Sequence, residues 1–178
     1  YYFDNASTTP VDPRVIDRMN ACLSADGVFG NPASTTHGFG WFASEEVEWA
    51  RATVAEVIEA DPREIVWTSG ATESDNLAIR GVVDASRSAE RRRVITLASE
   101  HKAVLDTCAH LAEVDVVVLD PCADGLIDFE ALDAALAEPT LLVSVMLVNN
   151  ETGVIQPISE IAQRAHAAGA LMHADCAQ

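Results

Sequence analysis

The chain has 178 residues, of which 49% are hydrophobic, and its 28 acidic and 11 basic residues give a formal net charge of −17. This hydrophobic content is enough for a folded core and excludes a disordered chain, and the length predicts a single domain. A net negative charge of this size repels polyanions, so the composition argues against binding to nucleic acid.

Apolar residues at helical spacing alternate along the chain with short apolar runs that are rich in β-branched residues. The runs predict strands, and the helical stripes predict helices that pack in the core. In chain order, the predicted elements are helical stripes at 15–23 and 47–58, strands at 65–67 and 94–97, a stripe at 104–111, strands at 116–119 and 141–147, a stripe at 158–165 and a strand at 171–172.

The predicted strands are continuous in hydrophobicity where a half-exposed strand would alternate, which indicates strands buried on both faces, as in a parallel sheet. Two helix starts have sequence signals: Asp128 is suited to cap a helix, and Pro157 suits a first helical turn. Strands that alternate with helices at this spacing are typical of βα units. The sequence therefore predicts an α/β fold in which helices cover the sheet.

Polar residues follow most of the predicted strands, at the sheet edge where α/β proteins bind ligands. After 65–67, the sequence TSGATES places Gly70 before a predicted helix whose first turn contains Thr72 and Glu73. This helix start and the Thr72 hydroxyl suit a phosphate, or Thr72 simply caps the helix together with Asp75. Neither a Walker loop nor a G-x-G-x-x-G fingerprint is present, which argues against a nucleotide-binding domain.

A histidine and two asparagines follow two further predicted strands. His101 comes after Glu100 at a strand-to-helix junction, where it is either structural or able to stack on a flat ring or move a proton. Asn149 and Asn150 follow the most apolar predicted strand, where they either satisfy a turn or contact a ligand.

A carboxylate follows the last predicted strand, at Asp175 in the sequence HADCAQ. A carboxylate at the end of a buried strand needs a partner, because its desolvation is otherwise costly. The partner is either a metal ion, with His173 as a second ligand, or a protonated ring nitrogen. Two ligands of mixed type are a poor metal signature, so the sequence favours the absence of a metal.

The sequence contains no targeting or metal-binding signature. The N-terminal YYFDNASTTP lacks the layout of a signal peptide, and no run of about 18 apolar residues occurs, so we predict a cytoplasmic protein that does not contact membranes. The cysteines have no C-x-x-C spacing, which predicts small core residues and neither a zinc site nor a disulfide framework. They are Cys22, Cys108, Cys122 and Cys176.

The sequence resembles one enzyme family in several separate motifs that occur in the same order. These are YFDNASTTPVDPRV, FGNPAS, IVWTSGATESDNLAI, EHKAVLDTC, VSVMLVNNETGVIQPI and HADCAQ. Over nearly its whole length the chain is similar to the cysteine desulfurases, which belong to the class V group of pyridoxal-phosphate-dependent aminotransferases. The resemblance implies a three-layer, mostly parallel sheet flanked by helices, the large domain of the aspartate-aminotransferase-like fold.

The resemblance implies that the cofactor is pyridoxal 5'-phosphate (PLP) and assigns residues to its phosphate and ring. Ala71 and Thr72 would hold the phosphate. His101 would stack on the pyridine ring and assist proton transfer as the catalytic residue of this segment.

The remaining ring contacts implied by the resemblance involve three residues. Asn150 would lie by the ring hydroxyl and the substrate carboxylate, and Gln178 would bond to the phenolic oxygen. Asp175 would pair with the ring nitrogen and keep it protonated, which makes the ring a better electron sink.

The family activity implied for the intact protein is the conversion of L-cysteine to L-alanine, with the sulfur passed to an enzyme cysteine as a persulfide. This sulfur would go to a scaffold or carrier protein for iron–sulfur cluster assembly or thiolation, and the enzyme would be a homodimer. Alternatives that stay open are a domain that binds ligand without catalysis and a selenocysteine lyase-like relative.

The lysine that binds PLP and the persulfide cysteine come later in family sequences. Lys102 lies in the EHK motif and is not that lysine, and none of the four cysteines matches the persulfide position. We therefore expect residues 1–10 to pack with a small domain and residues 11–178 to form the first part of the PLP-binding large domain. The remainder of the large domain and the C-terminal small domain are expected to be absent, which would leave the chain alone inactive.

Overall fold

The computed structural model describes residues 1–86 and 92–178, which form two compact units, Tyr1–Trp67 and Thr68–Gln178. The predicted division of the chain at residue 10 stays a prediction. The first unit contains α1 (Pro13–Leu23), α2 (Gly38–Val57) and a 3₁₀ turn at Pro62–Glu64.

The helices of the first unit form where the helical spacing predicted them, but their apolar stripes are not buried as predicted. No residue of α1 is buried, and the side chain of Leu23 is 75% exposed. In α2 the core prediction is also wrong for Val57, which is 79% exposed. The reason is that α1 meets α2 through a charged residue: the Arg18 guanidinium pairs with Glu46 and lies 5.9 Å from the centre of the Trp49 ring.

The strand predicted at 65–67 is not formed. Ile65 has an extended backbone, with φ −86° and ψ 122°, but residues 65–67 belong to no strand of the sheet. Val66 and Trp67 are exposed rather than buried. An apolar, β-branched run becomes a strand only when another strand pairs with its backbone, and no described strand pairs with residues 65–67. Instead, the Ile65 N–H donates to the Pro62 carbonyl at 3.2 Å, and the Ile65 carbonyl accepts from the Arg51 guanidinium.

The second unit is a parallel sheet with flanking helices, as predicted. The strands follow the order β2-β1-β3-β4, and every pair is parallel. In chain order the elements are α3 (Ala71–Ala85), β1 (Arg93–Leu97), α4 (Lys102–Ala109), β2 (Asp115–Leu119), α5 (Phe129–Leu136), β3 (Thr140–Ser144), α6 (Ile158–Ala167) and β4 (Leu171–His173).

Two separate cores on the two faces of the sheet confirm the three-layer architecture. Successive residues of β1 alternate between them: Val94 packs with the core that contains Ile79 of α3 and Val104 of α4, and Ile95 packs with the core that contains Leu132 of α5. Helices α3 and α4 therefore cover one face, and α5 and α6 cover the other.

The most apolar predicted strand ends earlier than expected, at Ser144 rather than at 147. The cause is the side chain of Glu100. The Met146 N–H donates to both of its carboxylate oxygens, at 2.9 and 3.0 Å, and is therefore not available for a hydrogen bond to a neighbouring strand. The backbone around it still pairs with the chain after β4, because the Leu147 N–H donates to the Asp175 carbonyl at 2.8 Å.

The cysteine prediction is confirmed for one residue and wrong for two. Cys108 is buried between α4 and the sheet, Cys22 is half-buried, and Cys122 and Cys176 are exposed. All four are free thiols. Cys122 lies in the turn after β2 and Cys176 lies after β4, both outside the described helices and strands.

No helix within residues 1–86 and 92–178 combines the length and the apolar composition that a membrane crossing requires.

Truncating the sheet core should destabilise the protein. Val143 of β3 is fully buried, whereas Val118 of the edge strand β2 is 48% exposed. We expect Val143→Ala in the full-length protein to lower the free energy of unfolding by about 2 kcal/mol, because it leaves a cavity, and Val118→Ala to lower it by less than about 0.5 kcal/mol. Urea denaturation followed by circular dichroism measures both, and equal losses would contradict the assignment of the core.

Candidate active site

The strand order contains one switch point, between β1 and β3. From β1 the chain continues to β2 on one side of the sheet and later returns to β3 on the other side. Ligands in open α/β sheets bind outside the carboxyl ends of the strands at such a point. A cavity of about 390 Å³ lies there, lined by residues 98–102 after β1 and 149–152 in the loop that follows β3.

Two of the predicted site residues, His101 and Asn150, line this cavity together. His101 caps α4, because its Nδ1 accepts the Ala103 N–H at 3.1 Å. The neutral ring therefore carries its proton on Nε2. The histidine thus has a structural bond on one nitrogen, and the other nitrogen remains available to a ligand.

Asn149, the neighbour of Asn150, has the structural role that the sequence left open. Its Oδ1 accepts the N–H groups of Glu151 and Thr152, at 2.9 and 2.8 Å, which closes a turn. Its Nδ2 donates to the Ser99 carbonyl at 2.7 Å and so ties this turn to the loop after β1. Asn149 therefore holds the two walls of the cavity at a fixed separation.

The start of α3 is ordered by side chains other than Thr72. Gly70 precedes the helix and no side chain caps it, so the alternative that Thr72 acts as a cap is wrong. The preceding loop is held by Glu73, whose Oε2 accepts from the Ser69 N–H and hydroxyl at 2.6 Å. Ala71 opens the helix, and Thr72 lines a second cavity of about 300 Å³ that also includes residues of α4, rather than the cavity with His101.

Asp175 lies at the end of β4 with its carboxylate buried. It is 9% exposed, its Oδ1 accepts the Ala177 N–H at 2.9 Å, and its carbonyl accepts the Leu147 N–H. It is not among the residues that line the cavity with His101. Gln178, three residues further on, is exposed.

Asp175 belongs to a group of three buried carboxylates, which we name the carboxylate cluster. The other members are Asp75 of α3, 3% exposed, and Glu100 after β1, 6% exposed. The three interact electrostatically with one another, and in the described part of the chain no lysine or arginine pairs with any of them. The cluster is therefore a group of buried acidic side chains that no lysine or arginine of the described residues neutralises.

The pKa values of two members of the cluster, Asp75 and Glu100, are raised. Burial, followed by the neighbouring Asp175 carboxylate, raises the pKa of Asp75 to about 6, and His101 opposes this rise. Burial raises the pKa of Glu100 to about 7, and the charges of Asp175 and Asp75 add to the rise, whereas the Met146 N–H opposes it. Protonation of Glu100 and Asp75 therefore relieves the repulsion at neutral and weakly acidic pH.

A histidine and a serine link the cluster to the sheet. The Ser144 Oγ lies 2.9 Å from His173 Nδ1, and His173 Nε2 lies 3.7 Å from Asp75 Oδ1. Burial lowers the pKa of His173, and the Asp175 charge opposes this shift. For the metal alternative, no group of three His, Cys, Asp or Glu side chains within residues 1–86 and 92–178 has a geometry that could hold an ion.

Sequence reasoning missed Asp75 and Glu100 as members of the site. A signal for Asp75 was present, because Asp75, Ile79 and Val83 follow one another at intervals of four residues and so share the buried face of α3. A carboxylate on an apolar helix face is an unusual placement that indicates a buried group. Glu100 has no such signal, since its burial depends on the Met146 N–H, which is distant in sequence.

A sequence model of the aminotransferase class-V family matches residues 1–178. The chain belongs to this family. Among curated members, the cysteine desulfurase IscS of Pseudomonas aeruginosa strain LESB58 is 55% identical over 99% of this chain, which spans 44% of that protein. The predicted resemblance to the N-terminal part of cysteine desulfurases is thereby confirmed, and the chain spans less than half the length of the curated relatives it matches.

Solved structures of similar proteins have the same fold. A NifS-like protein superposes with a TM-score of 0.91 at 37% identity, over 98% of this chain and 48% of that one. SspA in complex with cysteine superposes with a TM-score of 0.90 at 39% identity, over 99% of this chain and 50% of that one. These matches confirm the predicted fold class.

The burial of Glu100 makes stability depend on pH. Its folded pKa of about 7 lies above the ordinary 4.5, so the native state binds this proton more tightly than the unfolded state does. The contribution of Glu100 to the free energy of unfolding therefore falls as pH rises from 4.5 to 7. In Glu100→Gln, which cannot ionise, we expect this loss to disappear, a difference on the order of 3 kcal/mol between pH 5 and 8.

Urea denaturation of the full-length apoprotein at a series of pH values tests this expectation. The control is Glu56→Gln on the exposed side of α2, which should follow the wild-type profile. Parallel pH profiles for wild type and Glu100→Gln would show that folding does not raise the pKa of Glu100.

Proposed function

We propose that the protein containing this chain is a PLP-dependent cysteine desulfurase. It would convert L-cysteine to L-alanine and pass the sulfur to an enzyme cysteine as a persulfide. The observation that carries this proposal is the buried carboxylate at the end of β4, which the fold places beside further carboxylates and without a cation. Membership of the class-V family and the similarity to cysteine desulfurases support the same conclusion.

The residues present fit PLP. Buried carboxylates require a positive partner, and a protonated pyridine nitrogen supplies one. The Oδ2 of Asp75 is buried without a hydrogen-bond partner, as expected where the local charge is incomplete in the isolated chain. When bound, PLP supplies an electron sink that stabilises negative charge on the substrate carbon next to the nitrogen.

Asp175 holds a proton on the ring nitrogen in this proposal. Its carboxylate is oriented by the Ala177 N–H at Oδ1 and anchored through its own carbonyl to the extension of β3. A charge-assisted hydrogen bond from a fixed carboxylate keeps the nitrogen protonated through neutral pH. The two anchoring bonds orient the carboxylate before the cofactor binds, which lowers the cost of binding.

His101 and Asn150 contact the ring and the substrate in this proposal. Both line the cavity at the switch point, and the Nε2–H of His101 is available to donate while its Nδ1 accepts the Ala103 N–H. His101 would stack on the ring and assist transfer of the substrate proton, and Asn150 would bind the ring hydroxyl and the substrate carboxylate.

Ala71, Thr72 and Gln178 complete the proposed cofactor contacts. The uncapped start of α3 has free N–H groups, and with the Thr72 hydroxyl these bind the phosphate. Gln178 donates to the phenolic oxygen. The covalent lysine and the persulfide cysteine belong to the rest of the full-length protein in this proposal.

The intact enzyme is proposed to be a homodimer that transfers sulfur to a scaffold or carrier protein for iron–sulfur cluster assembly or thiolation. The cytoplasmic location and the absence of nucleic-acid contacts stay predictions. A selenocysteine substrate is the competing reading for the same site, and steady-state kinetics of the full-length protein with L-cysteine and L-selenocysteine distinguish the two. The similarity to SspA, whose solved structure is a complex with cysteine, favours L-cysteine.

The role of Asp175 is testable by one substitution. In full-length Asp175→Asn, the amide cannot sustain a charged ring nitrogen, so we expect PLP to be retained in part and kcat for alanine release to fall about 100-fold or more. The absorption spectrum with PLP, before and after L-cysteine is added, measures cofactor binding, and alanine and sulfide assays measure turnover.

The matched control is Asp84→Asn, the same change at an exposed position of α3, which should leave both spectrum and turnover at wild-type values. Wild-type turnover in Asp175→Asn would refute the role of Asp175. A wild-type protein that binds no PLP, or that leaves L-cysteine unchanged, would refute the proposed function itself.

A further inference from the structure

Asp75 is the most deeply buried carboxylate of the site, and the proposed function leaves it without a role. Its side chain is 3% exposed. It lies on the sheet-facing side of α3, the same face of the helix that carries Ile79 and Val83. Its Oδ2 has no hydrogen-bond partner, and its Oδ1 lies 3.7 Å from His173 Nε2. Burial of a carboxylate in this position costs free energy unless another group stabilises its charge.

His173 connects Asp75 to both strands that carry the site. Its Nδ1 lies 2.9 Å from the Ser144 hydroxyl at the end of β3, and its Nε2 faces Asp75. If Ser144 donates to Nδ1, the neutral imidazole carries its proton on Nε2, directed at the Asp75 carboxylate. His173 is two residues before Asp175 on the same strand end, so the ring orientation is coupled to the backbone that carries Asp175.

We propose that Asp75 is a positioning residue for the cofactor: through His173 it fixes the end of β4 that carries Asp175, and it places a second negative charge behind Asp175. This inference rests on the proposed function, since it needs a cationic ring nitrogen at Asp175. This role explains why α3 carries a carboxylate on its buried face. Asp75 itself touches neither substrate nor cofactor in this proposal.

The charges that face Asp75 come from every element around it. His173 and Asp175 face it from β4 and the residues after it, Glu100 from the loop after β1, and His101 from the start of α4. The pKa of Asp75 is about 6, so its charge is largely present at pH 8 and largely absent at pH 5. A cation bound at Asp175 attracts the charged form, so binding of such a ligand should strengthen as pH rises through about 6.

The probe for this coupling is pyridoxamine 5'-phosphate, which has the ring nitrogen but no aldehyde and therefore binds without a covalent bond. Its Kd is measured by fluorescence titration of the full-length apoprotein at pH 5 and pH 8. Relative to wild type, we expect Asp75→Asn to bind about tenfold more weakly at pH 8 and less than about twofold more weakly at pH 5. Asp84→Asn on the same helix is the matched control and should follow wild type at both values.

A second measurement detects the Asp75–His173 contact without any ligand. In apoprotein with ¹⁵N-labelled histidine, the His173 ring shifts should move near pH 6 as Asp75 gains its charge. Asp75→Asn should remove this step, whereas Ser144→Ala should leave it in place, because the Asp75 carboxylate still faces Nε2. If Asp75→Asn does not fold, the wild-type titration remains a test, and a His173 ring that shows no step near pH 6 would contradict the contact with Asp75.

The outcomes separate this proposal from the function on which it rests. Equal Kd values for wild type and Asp75→Asn at pH 8, or a His173 titration that Asp75→Asn leaves unchanged, would overturn the role of Asp75. A wild-type protein that binds pyridoxamine 5'-phosphate at neither pH would instead contradict the cofactor assignment.

Discussion

The repulsion between the buried carboxylates of Asp75, Glu100 and Asp175 is the constraint on which the rest of the site depends. Three such groups in a region of low water content favour neutral forms or a bound cation. Part of this repulsion is relieved within the chain. The pKa values of Glu100 and Asp75 are raised, which favours their neutral forms, and the Met146 N–H donates a hydrogen bond to Glu100. The remaining repulsion fits the positively charged ring that we propose for this end of the sheet.

The parallel sheet brings these groups together because its carboxyl ends share one edge. Glu100 follows β1 and Asp175 follows β4, and these strands are separated by β3 in the sheet. The strands are short, and the polar residues that follow them directly therefore lie at this shared edge. Glu100 also ends β3, because it captures the Met146 N–H, and this one interaction therefore sets both a strand boundary and the charge of the site.

The two units of the chain use similar sequence patterns with different results. In the second unit, the stripe containing Val104 and Cys108 is buried, because the sheet offers it a complementary apolar face. In the first unit, the stripe of α1 stays exposed, since Arg18 rather than an apolar residue meets α2. Helical spacing thus predicts a helix reliably, whereas its burial depends on what packs against it.

The sequence by itself determined the alternation of helices and strands, the parallel sheet and the carboxylate at the end of β4, because these follow from local periodicity and from polar residues that interrupt apolar runs. It predicted the Asp128 cap, which the structure forms through bonds to the N–H groups of Glu130 and Ala131. It could not predict the failure of the strand at 65–67 or the burial of Glu100. Only the tertiary structure decided these, because pairing and desolvation depend on partners that are distant in sequence.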